Sequence, residues 1–180
     1  MNAPPNCSYE FYTIYADSNT YSDTLSGATD FKTYLFSPLK DVVQVSVLLA
    51  TIGEQASPAT SNVCYLTVDE LSSHFNEITG NNMVSTATSD SLGSFITAFP
   101  TARANFQNPL AVFFLNDGLT IYKQNDYSTQ TQFINPIRKL ERLTCKLWDG
   151  NGVPLLLDTG GRVHITFRFT CIRDNLCPQP

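Results

Sequence analysis

The chain has two histidines, His74 and His164, the side chains best suited to move protons near neutral pH. His74 falls in a segment that predicts a helix, and His164 falls on the polar face of a predicted strand. A serine nucleophile that depends on histidine is often carried on a Gly-x-Ser-x-Gly turn, and the sequence contains no such turn. We therefore predict no catalytic residues and no enzymatic activity.

Asp158 begins the triplet Asp158-Thr159-Gly160 directly after three leucines. The same triplet at the end of an apolar strand is the signature of aspartic proteases, in which two carboxyl groups share one proton. A two-lobed protease needs a second triplet of this kind, and the sequence has none. The favoured interpretation is a turn in which the aspartate side chain accepts a local hydrogen bond. A protease is kept as a remote alternative.

Asp149, Asn151 and Asp158 offer oxygen atoms of the kind that calcium binds. The run from Asp149 to Gly152 lacks the further acidic ligands of a calcium-binding loop. Its Asp-Gly and Asn-Gly pairs are typical of a tight chain reversal. The sequence therefore predicts a turn here, no metal site and no cofactor.

The composition is that of a single folded domain with few charges. A chain of 180 residues is one domain by length, here residues 1–180 with tails at 1–8 and 173–180. Charged residues make up 15%, so Ser, Thr, Asn and Gln must cover much of the surface. The net charge of −5, with 11 scattered basic residues, argues against a nucleic-acid groove. No segment is apolar enough to predict a membrane span.

The five cysteines are an odd number, so at least one stays unpaired within a single chain. Cys64, Cys145 and Cys171 fall in strand-like segments, where small buried thiols are common. A small loop closed by Cys171 and Cys177 is the alternative for that pair. Residues 1–6 have neither the basic nor the apolar part of a secretory signal. We therefore expect folding in a reducing compartment, the interior of a cell.

Alternation of apolar and polar residues predicts β-strands along most of the chain. In residues 162–172 every second side chain is apolar, which places the apolar set on one face of an extended chain. This set is Val163, Ile165, Phe167, Phe169 and Cys171. Comparable segments predict strands at residues 9–15, 30–36, 42–50, 63–68, 93–99, 110–115, 119–123 and 143–148.

Two local signals add a helix and a hairpin. Thr67 and Glu70 have the spacing of a helix capping box, and apolar residues at helical spacing continue to Gly80, which predicts one short helix. Asn116-Asp117-Gly118 predicts a hairpin between the strands on either side.

Eight or nine short strands with a single helix indicate an all-β fold, an antiparallel β-sandwich. The loops between the early strands are too long for a simple meander. They favour a single jelly roll of two four-stranded sheets, although an immunoglobulin-like sandwich would show much the same alternation.

The first part of the chain resembles a known family. Asp30-Phe31 opens a short strand, and Pro38-Leu39-Lys40-Asp41-Val42 follows it. This order is similar to the N-terminal pattern of single jelly-roll capsid proteins of large double-stranded DNA viruses, in the lineage of nucleocytoplasmic large DNA viruses and virophages. The family pattern usually has Asn where this chain has Asp30 and Asp41.

The last part of the chain resembles the same family. Asn135-Pro136, Leu140, Leu143 and the turn from Asp149 to Gly152 follow its C-terminal pattern, and the final strand is similar to the one that closes its sandwich. The resemblance implies a penton or penton-like minor capsid protein. Such a protein forms homopentamers at the icosahedral vertices of a virion, beside the major capsid protein and other minor capsid proteins.

A fivefold ring requires that one patch of each subunit meets a different patch of its neighbour. Basic side chains on the polar face of the last strand are candidates for such a contact, with Asp69 and Glu70 of a neighbour as candidate partners. The predicted interface residues are Arg162, His164, Arg168 and Trp148. The alternative function is a jelly-roll binding module, lectin-like or receptor-binding, that recognises a glycan or a cell-surface protein through its loops.

Overall fold

A computed structural model describes residues 8–19, 28–56, 62–71, 109–116, 118–124, 130–150 and 152–173. The strands in these residues are β1 (Tyr9–Asp17), β2 (Asp30–Ile52), β3 (Val63–Val68), β4 (Ala111–Phe114), β5 (Thr120–Lys123), β6 (Gln130–Asp149) and β7 (Val163–Ile172), and one 3-10 helix is Asp69–Leu71. The prediction of an all-β chain is confirmed. The strand predicted at residues 93–99 lies outside the described residues.

The seven strands form one curled sheet in which every pairing is antiparallel. The order is β1-β7-β2-β6-β3-β4, and β5 pairs with the end of β2. β6 pairs with β2 between Asp30 and Ser46, and β7 pairs with β2 between Val42 and Ile52, so residues 42–46 have a partner strand on each side. Phe113 of β4 packs on Tyr122 of β5, with ring centroids 5.2 Å apart. Strands that are distant along the sheet therefore meet across a shared interior.

The course of β2 corrects the prediction of two separate strands at residues 30–36 and 42–50. The ladder between β2 and β6 passes residues 35–38 opposite Glu141 alone and resumes at the pair Leu39–Leu140. The proline at position 38 lies in this bulge, where no ladder hydrogen bond is required of it. Close to a second register shift, Asp41 adopts a left-handed conformation with φ of 49°. Two irregularities thus bend one 23-residue strand instead of ending it.

The predicted hairpin around residues 116–118 is wrong. β4 pairs with β3, where Phe114 lies opposite Val63, whereas β5 pairs with β2, where Lys123 lies opposite Leu49. Gly118 does adopt the positive φ, 100°, that the turn prediction required. Turn residues fix a local change of direction, and the partner of each strand is chosen by the surface that it can bury.

The predicted helix does not begin at Thr67. The chain there is still in strand β3, which is followed by a 3-10 helix that covers only Asp69–Leu71. The Glu70 carboxylate accepts hydrogen bonds from Thr144 of β6 and does not return to Thr67 as a capping box requires. Residues 72–80, where the prediction continues, lie outside the described residues, as does His74.

The interior is formed by the apolar faces that the alternation predicted. In β7 the inward residues Val163, Ile165, Phe167 and Phe169 have at most 1% of their surface exposed. Full burial of one such side chain contributes about 1.5–3 kcal/mol, so these faces hold the sheet in its curled form.

Cys64, Cys145 and Cys171 are buried free thiols, which confirms that prediction. Burial is the main cause that raises the pKa of Cys171, to about 11, so the thiol stays protonated at neutral pH. Cys171 is free in the structure, so the alternative of a loop closed by Cys171 and Cys177 is not supported. Cys7 and Cys177 themselves lie outside the described residues.

Candidate interaction surface

The outward side chains of β1, β7, the second half of β2 and β5 form a continuous surface. Residues directly opposite each other in an antiparallel pair point to the same side of a sheet. Tyr15 lies opposite Thr166. Thr166 in turn lies opposite Leu49, which lies opposite Lys123, so one row of side chains crosses four strands. We call this surface the open face, and its large exposed side chains are Tyr9, Phe11, Tyr15, Leu49, Ile121, Lys123, His164 and Arg168.

Aromatic side chains line the margin of the open face. Phe11 is 67% exposed and Tyr15 is 76% exposed, and both lie on β1. Among the described residues β1 pairs with β7 alone, so it is an edge strand of this part of the sheet. Exposed aromatic residues of this kind are enriched where proteins contact each other.

Three of the predicted interface residues lie on or beside the open face. Arg162, His164 and Arg168 are exposed, and their even spacing places them on one side of the last strand. The Nδ1 atom of His164 is 3.4 Å from the Oδ2 atom of Asp17, its register partner on β1. The two arginines form no ion pair with any residue in the described part of the chain.

Trp148, the fourth predicted interface residue, is almost buried. Only 9% of its surface is exposed, and its Nε1 donates a 2.9 Å hydrogen bond to Thr67 Oγ1. It lies on β6 just before the reversal in which Asp149 accepts hydrogen bonds from Gly152 and Val153. The structure therefore separates Trp148 from the three basic residues.

Polar contacts within the chain cover the outward side of β6 and β3 around Glu70 and Asp69. Glu70 accepts hydrogen bonds from Arg142 Nε at 2.9 Å, from the Thr144 amide at 2.7 Å and from the Thr144 hydroxyl at 2.8 Å. Lys146 Nζ lies 2.8 Å from Asp69 Oδ2. We call this surface the covered face. The two acidic residues that were candidate partners for a neighbouring subunit are already bound inside their own chain.

These contacts change the ionisation of Glu70. Burial alone would raise the pKa of its carboxyl group, but the hydrogen bonds from Thr144 and Arg142 outweigh burial, and the pKa lies below its ordinary value. Lys146 has a raised pKa, chiefly because it donates a hydrogen bond to Asp69. Glu70 is therefore ionised and Lys146 protonated at neutral pH.

The Asp158-Thr159-Gly160 triplet forms an exposed turn. The Asp158 carboxylate accepts a hydrogen bond from the Thr159 amide at 2.7 Å, and its carbonyl accepts one from Gly161 at 2.8 Å. Gly160 has a φ of 82°, a conformation that glycine adopts without strain. This geometry confirms the predicted turn.

A shallow depression of about 510 Å³ lies beside this turn. Its acidic and basic lining residues are Glu54, Asp158, Arg162 and His164. The shared proton of an aspartic protease requires two carboxyl groups in contact. Glu54 is the other carboxylate of this lining, and the structure gives it no side-chain contact with Asp158.

Sequence reasoning missed two features of the surface. The alternation in β1 indicated an aromatic face, but its exposure depends on pairing with β7, which lies far away in the sequence. Phe36 projects fully into solvent from the bulge at residues 35–38. The proline at position 38, inside what proved to be a strand, was the available signal for that bulge.

No protein-family model matches the chain, and no curated protein matches it at a significant level. No helix in the described part of the chain is long and apolar enough to cross a membrane. The described residues also contain no group of three or more His, Cys, Asp or Glu side chains placed to hold a metal ion.

Proposed function

We propose that this chain is a structural subunit of a viral capsid, a penton-like protein built as a single jelly roll. In this proposal five copies form a ring at each icosahedral vertex and contact the major capsid protein and other minor capsid proteins in the virion. The open face provides contact area for the assembly, and Arg162, His164 and Arg168 supply its charged groups. The chain acts by association and not by catalysis.

The observation that carries the proposal is the meeting of the two segments that resemble the capsid family. They are about 100 positions apart in the sequence, yet one lies on β2 and the other on the neighbouring strand β6. Leu39 lies opposite Leu140, and Val42 lies opposite Ile137. Two weak motifs that form one paired unit support a common origin better than either motif does alone.

The strand order supports a jelly roll. In this interpretation one layer is β1-β7-second half of β2-β5, and the other is first half of β2-β6-β3-β4. Each layer has four strands, and β2 passes from one layer to the other at its two irregularities. Eight strands connected as two Greek keys are the definition of a jelly roll. The contact between Phe113 and Tyr122 is then a contact between the layers.

The residue types exposed on the open face also support the proposal that the chain assembles with other copies. Aromatic residues and arginine are enriched at protein interfaces, whereas Lys and Glu are depleted there. The open face carries Tyr9, Phe11, Tyr15 and Arg168 in solvent. Association with other copies would bury this surface.

Native mass spectrometry of the purified chain tests the proposal. Five copies of 20.0 kDa, or a multiple of five, are the expected assembly. A trimer would instead favour the binding module, and a dimer that cleaves peptides only while Asp158 is intact would favour the protease.

Charge reversal tests the part assigned to the open face. We expect Arg168→Glu to lower the pentamer fraction at least tenfold at a fixed protein concentration. Lys139→Glu is the matched control, because Lys139 is also exposed but lies on β6, which is not one of the strands that form the open face. Equal effects of the two variants would contradict this assignment.

A further inference from the structure

We infer that β1 joins two copies of this chain edge to edge, as antiparallel strands related by a twofold axis at Thr13. The partner is a second copy of the chain, and the contact would continue the β1-β7-β2 part of the sheet from one subunit into the next. This contact goes beyond the proposed fivefold ring, since a ring uses two different patches and a twofold contact uses one patch twice.

The backbone of β1 has one edge available for another strand. The amide of Ser18 donates to the Val163 carbonyl, and the amide of Arg173 donates to the Ser8 carbonyl. Hydrogen-bonded pairs alternate along an antiparallel ladder, so the even-numbered residues of β1 bond to β7. The odd-numbered residues direct their amide and carbonyl groups to the opposite edge. These residues are Tyr9, Phe11, Thr13, Tyr15 and Asp17.

Within the described part of the chain this edge has few of the features that keep edge strands from pairing. Proteins protect such edges with proline, charged side chains (lysine above all), bulges, very short strands or a covering segment. β1 has nine residues, contains neither proline nor lysine, and keeps an unbroken register with β7 along its whole length; its charged residues are Glu10 and Asp17. None of the described residues pairs with its free edge. We infer that the strand that covers this long and regular edge is β1 of a second copy.

The side chains of β1 complement a second copy of β1. With Thr13 opposite its own copy, Phe11 lies opposite the partner's Tyr15 on the outward side. Tyr12 lies opposite the partner's Ile14 on the other side. Aromatic pairs and aromatic–β-branched pairs are the favourable cross-strand contacts in sheets. Every exposed aromatic residue of β1 therefore gains a neighbour in this register, and the two acidic residues of the strand do not meet their own copies.

The size of the contact fits a stable interface. Five odd-numbered residues on each strand give five hydrogen-bonded pairs, with two hydrogen bonds in each pair. A typical protein interface contains about ten direct hydrogen bonds. The backbone supplies that number here, and the exposed aromatic residues Tyr9, Phe11, Tyr12 and Tyr15 supply apolar contact area.

Cysteine crosslinking tests the register. In this arrangement the two Thr13 Cα atoms are about 5.5 Å apart, which is within the range of a disulfide. The two Tyr9 Cα atoms are roughly 27 Å apart, eight residues along an extended strand. With Cys7 and Cys177 replaced by serine, we expect Thr13→Cys to form a crosslinked dimer under mild oxidation and Tyr9→Cys to remain uncrosslinked. Equal crosslinking of the two variants, or none with Thr13→Cys, would overturn the proposal.

Removal of one amide tests the same contact without a new thiol. The Thr13 amide points away from β7, so Thr13→Pro takes a donor from the free edge and keeps the ladder to β7. Tyr12→Lys is a second variant, because Tyr12 is 39% exposed and lies on the side of β1 that is turned away from the open face. Ile134→Lys, another exposed apolar residue, on β6, is its control. Light scattering should show that Thr13→Pro and Tyr12→Lys halve the assembled mass and that Ile134→Lys leaves it unchanged. An unchanged mass in folded Thr13→Pro and Tyr12→Lys proteins would contradict the twofold contact.

The outcome separates this contact from the fivefold ring. If both exist, the wild type forms ten-chain assemblies that these variants convert to five. If only the twofold contact exists, a dimer becomes a monomer. A wild-type pentamer that does not pair, or a monomer at all concentrations, would overturn the β1 contact.

Discussion

The open face and the covered face belong to one sheet, but they differ in the partners that their side chains have within the chain. On the covered face Glu70 and Asp69 bind Arg142, Thr144 and Lys146, so charged groups find partners inside the same chain. On the open face the aromatic residues of β1 and two arginines face solvent. A surface that is complete in the single chain contributes to its folding. A surface left incomplete in the single chain is available for assembly.

The largest expected contrast is between two phenylalanines. Phe113 is fully buried on β4, and Phe11 is 67% exposed on β1. We expect Phe113→Ala to lower the free energy of unfolding by about 3–5 kcal/mol. Phe11→Ala should change it by no more than about 0.5 kcal/mol in the unassembled chain, while it weakens association. Urea denaturation at low protein concentration measures the first quantity, and concentration-dependent light scattering measures the second. A large loss of unfolding free energy in the unassembled Phe11→Ala variant would show that the Phe11 side chain contributes to the fold of the single chain and is not part of a surface kept for assembly.

The next contrast is between two glutamates. Glu70→Ala leaves the Thr144 amide and hydroxyl without their acceptor, so we expect a loss of about 1–3 kcal/mol. Glu10 lies at the surface, 3.4 Å from Arg173, and such exposed pairs contribute about 0–1 kcal/mol. Denaturant unfolding of Glu70→Ala and Glu10→Ala measures both values. Equal losses of unfolding free energy in the two variants would contradict the distinction between the covered face and the open face.

The stability of the covered face should depend on pH through Glu70. Its pKa in the folded chain lies below the ordinary value of 4.5, because hydrogen bonds from Thr144 and Arg142 outweigh burial. The ionised carboxylate therefore stabilises the fold fully above the unfolded-state pKa, and this stabilisation is lost as pH falls through the folded-state value. Thermal unfolding from pH 7 down to pH 3 should show the melting temperatures of wild type and Glu70→Gln converging. A difference that stays constant with pH would contradict this assignment.

The smallest expected effect lies at the bend of β2 that joins the two faces. Asp41 has a positive φ, which costs an L-residue free energy that glycine does not lose. We expect Asp41→Gly to raise stability by about 0.5 kcal/mol, since the relief exceeds the added chain entropy only slightly. Asp30 has no such dihedral angle, and Asp30→Gly should lower stability. Calorimetry of the two variants can resolve the opposite signs.

The fold was predictable where side-chain periodicity decides it. The alternation in residues 162–172 identified both the strand β7 and its buried face, and the runs around Tyr12 and Cys64 identified β1 and β3. Pairing was less predictable, because a turn such as Asn116-Asp117-Gly118 has the same composition whether its strands pair with each other or with distant ones. The strands beside it pair with β3 and β2.

The basic residues of the open face could be predicted from the sequence, but the set of strands that form this surface could not. Arg162, His164 and Arg168 were assigned to the exposed side of the last strand by spacing alone, and they lie there. Trp148 gave no signal of its hydrogen bond to Thr67, because that contact depends on the register of β3 with β6. The edge position of β1 likewise depends on long-range pairing that no local pattern contains.

The central claim is that this chain is a self-assembling jelly-roll subunit whose open face is buried by contacts with other copies of the chain. An image reconstruction of the purified assembly tests it most directly. We predict a closed ring of five jelly rolls, in which β1 of one ring pairs with β1 of another ring wherever two rings meet. A reconstruction in which the subunits have another architecture, or in which the open face remains in solvent in every assembly, would contradict the account.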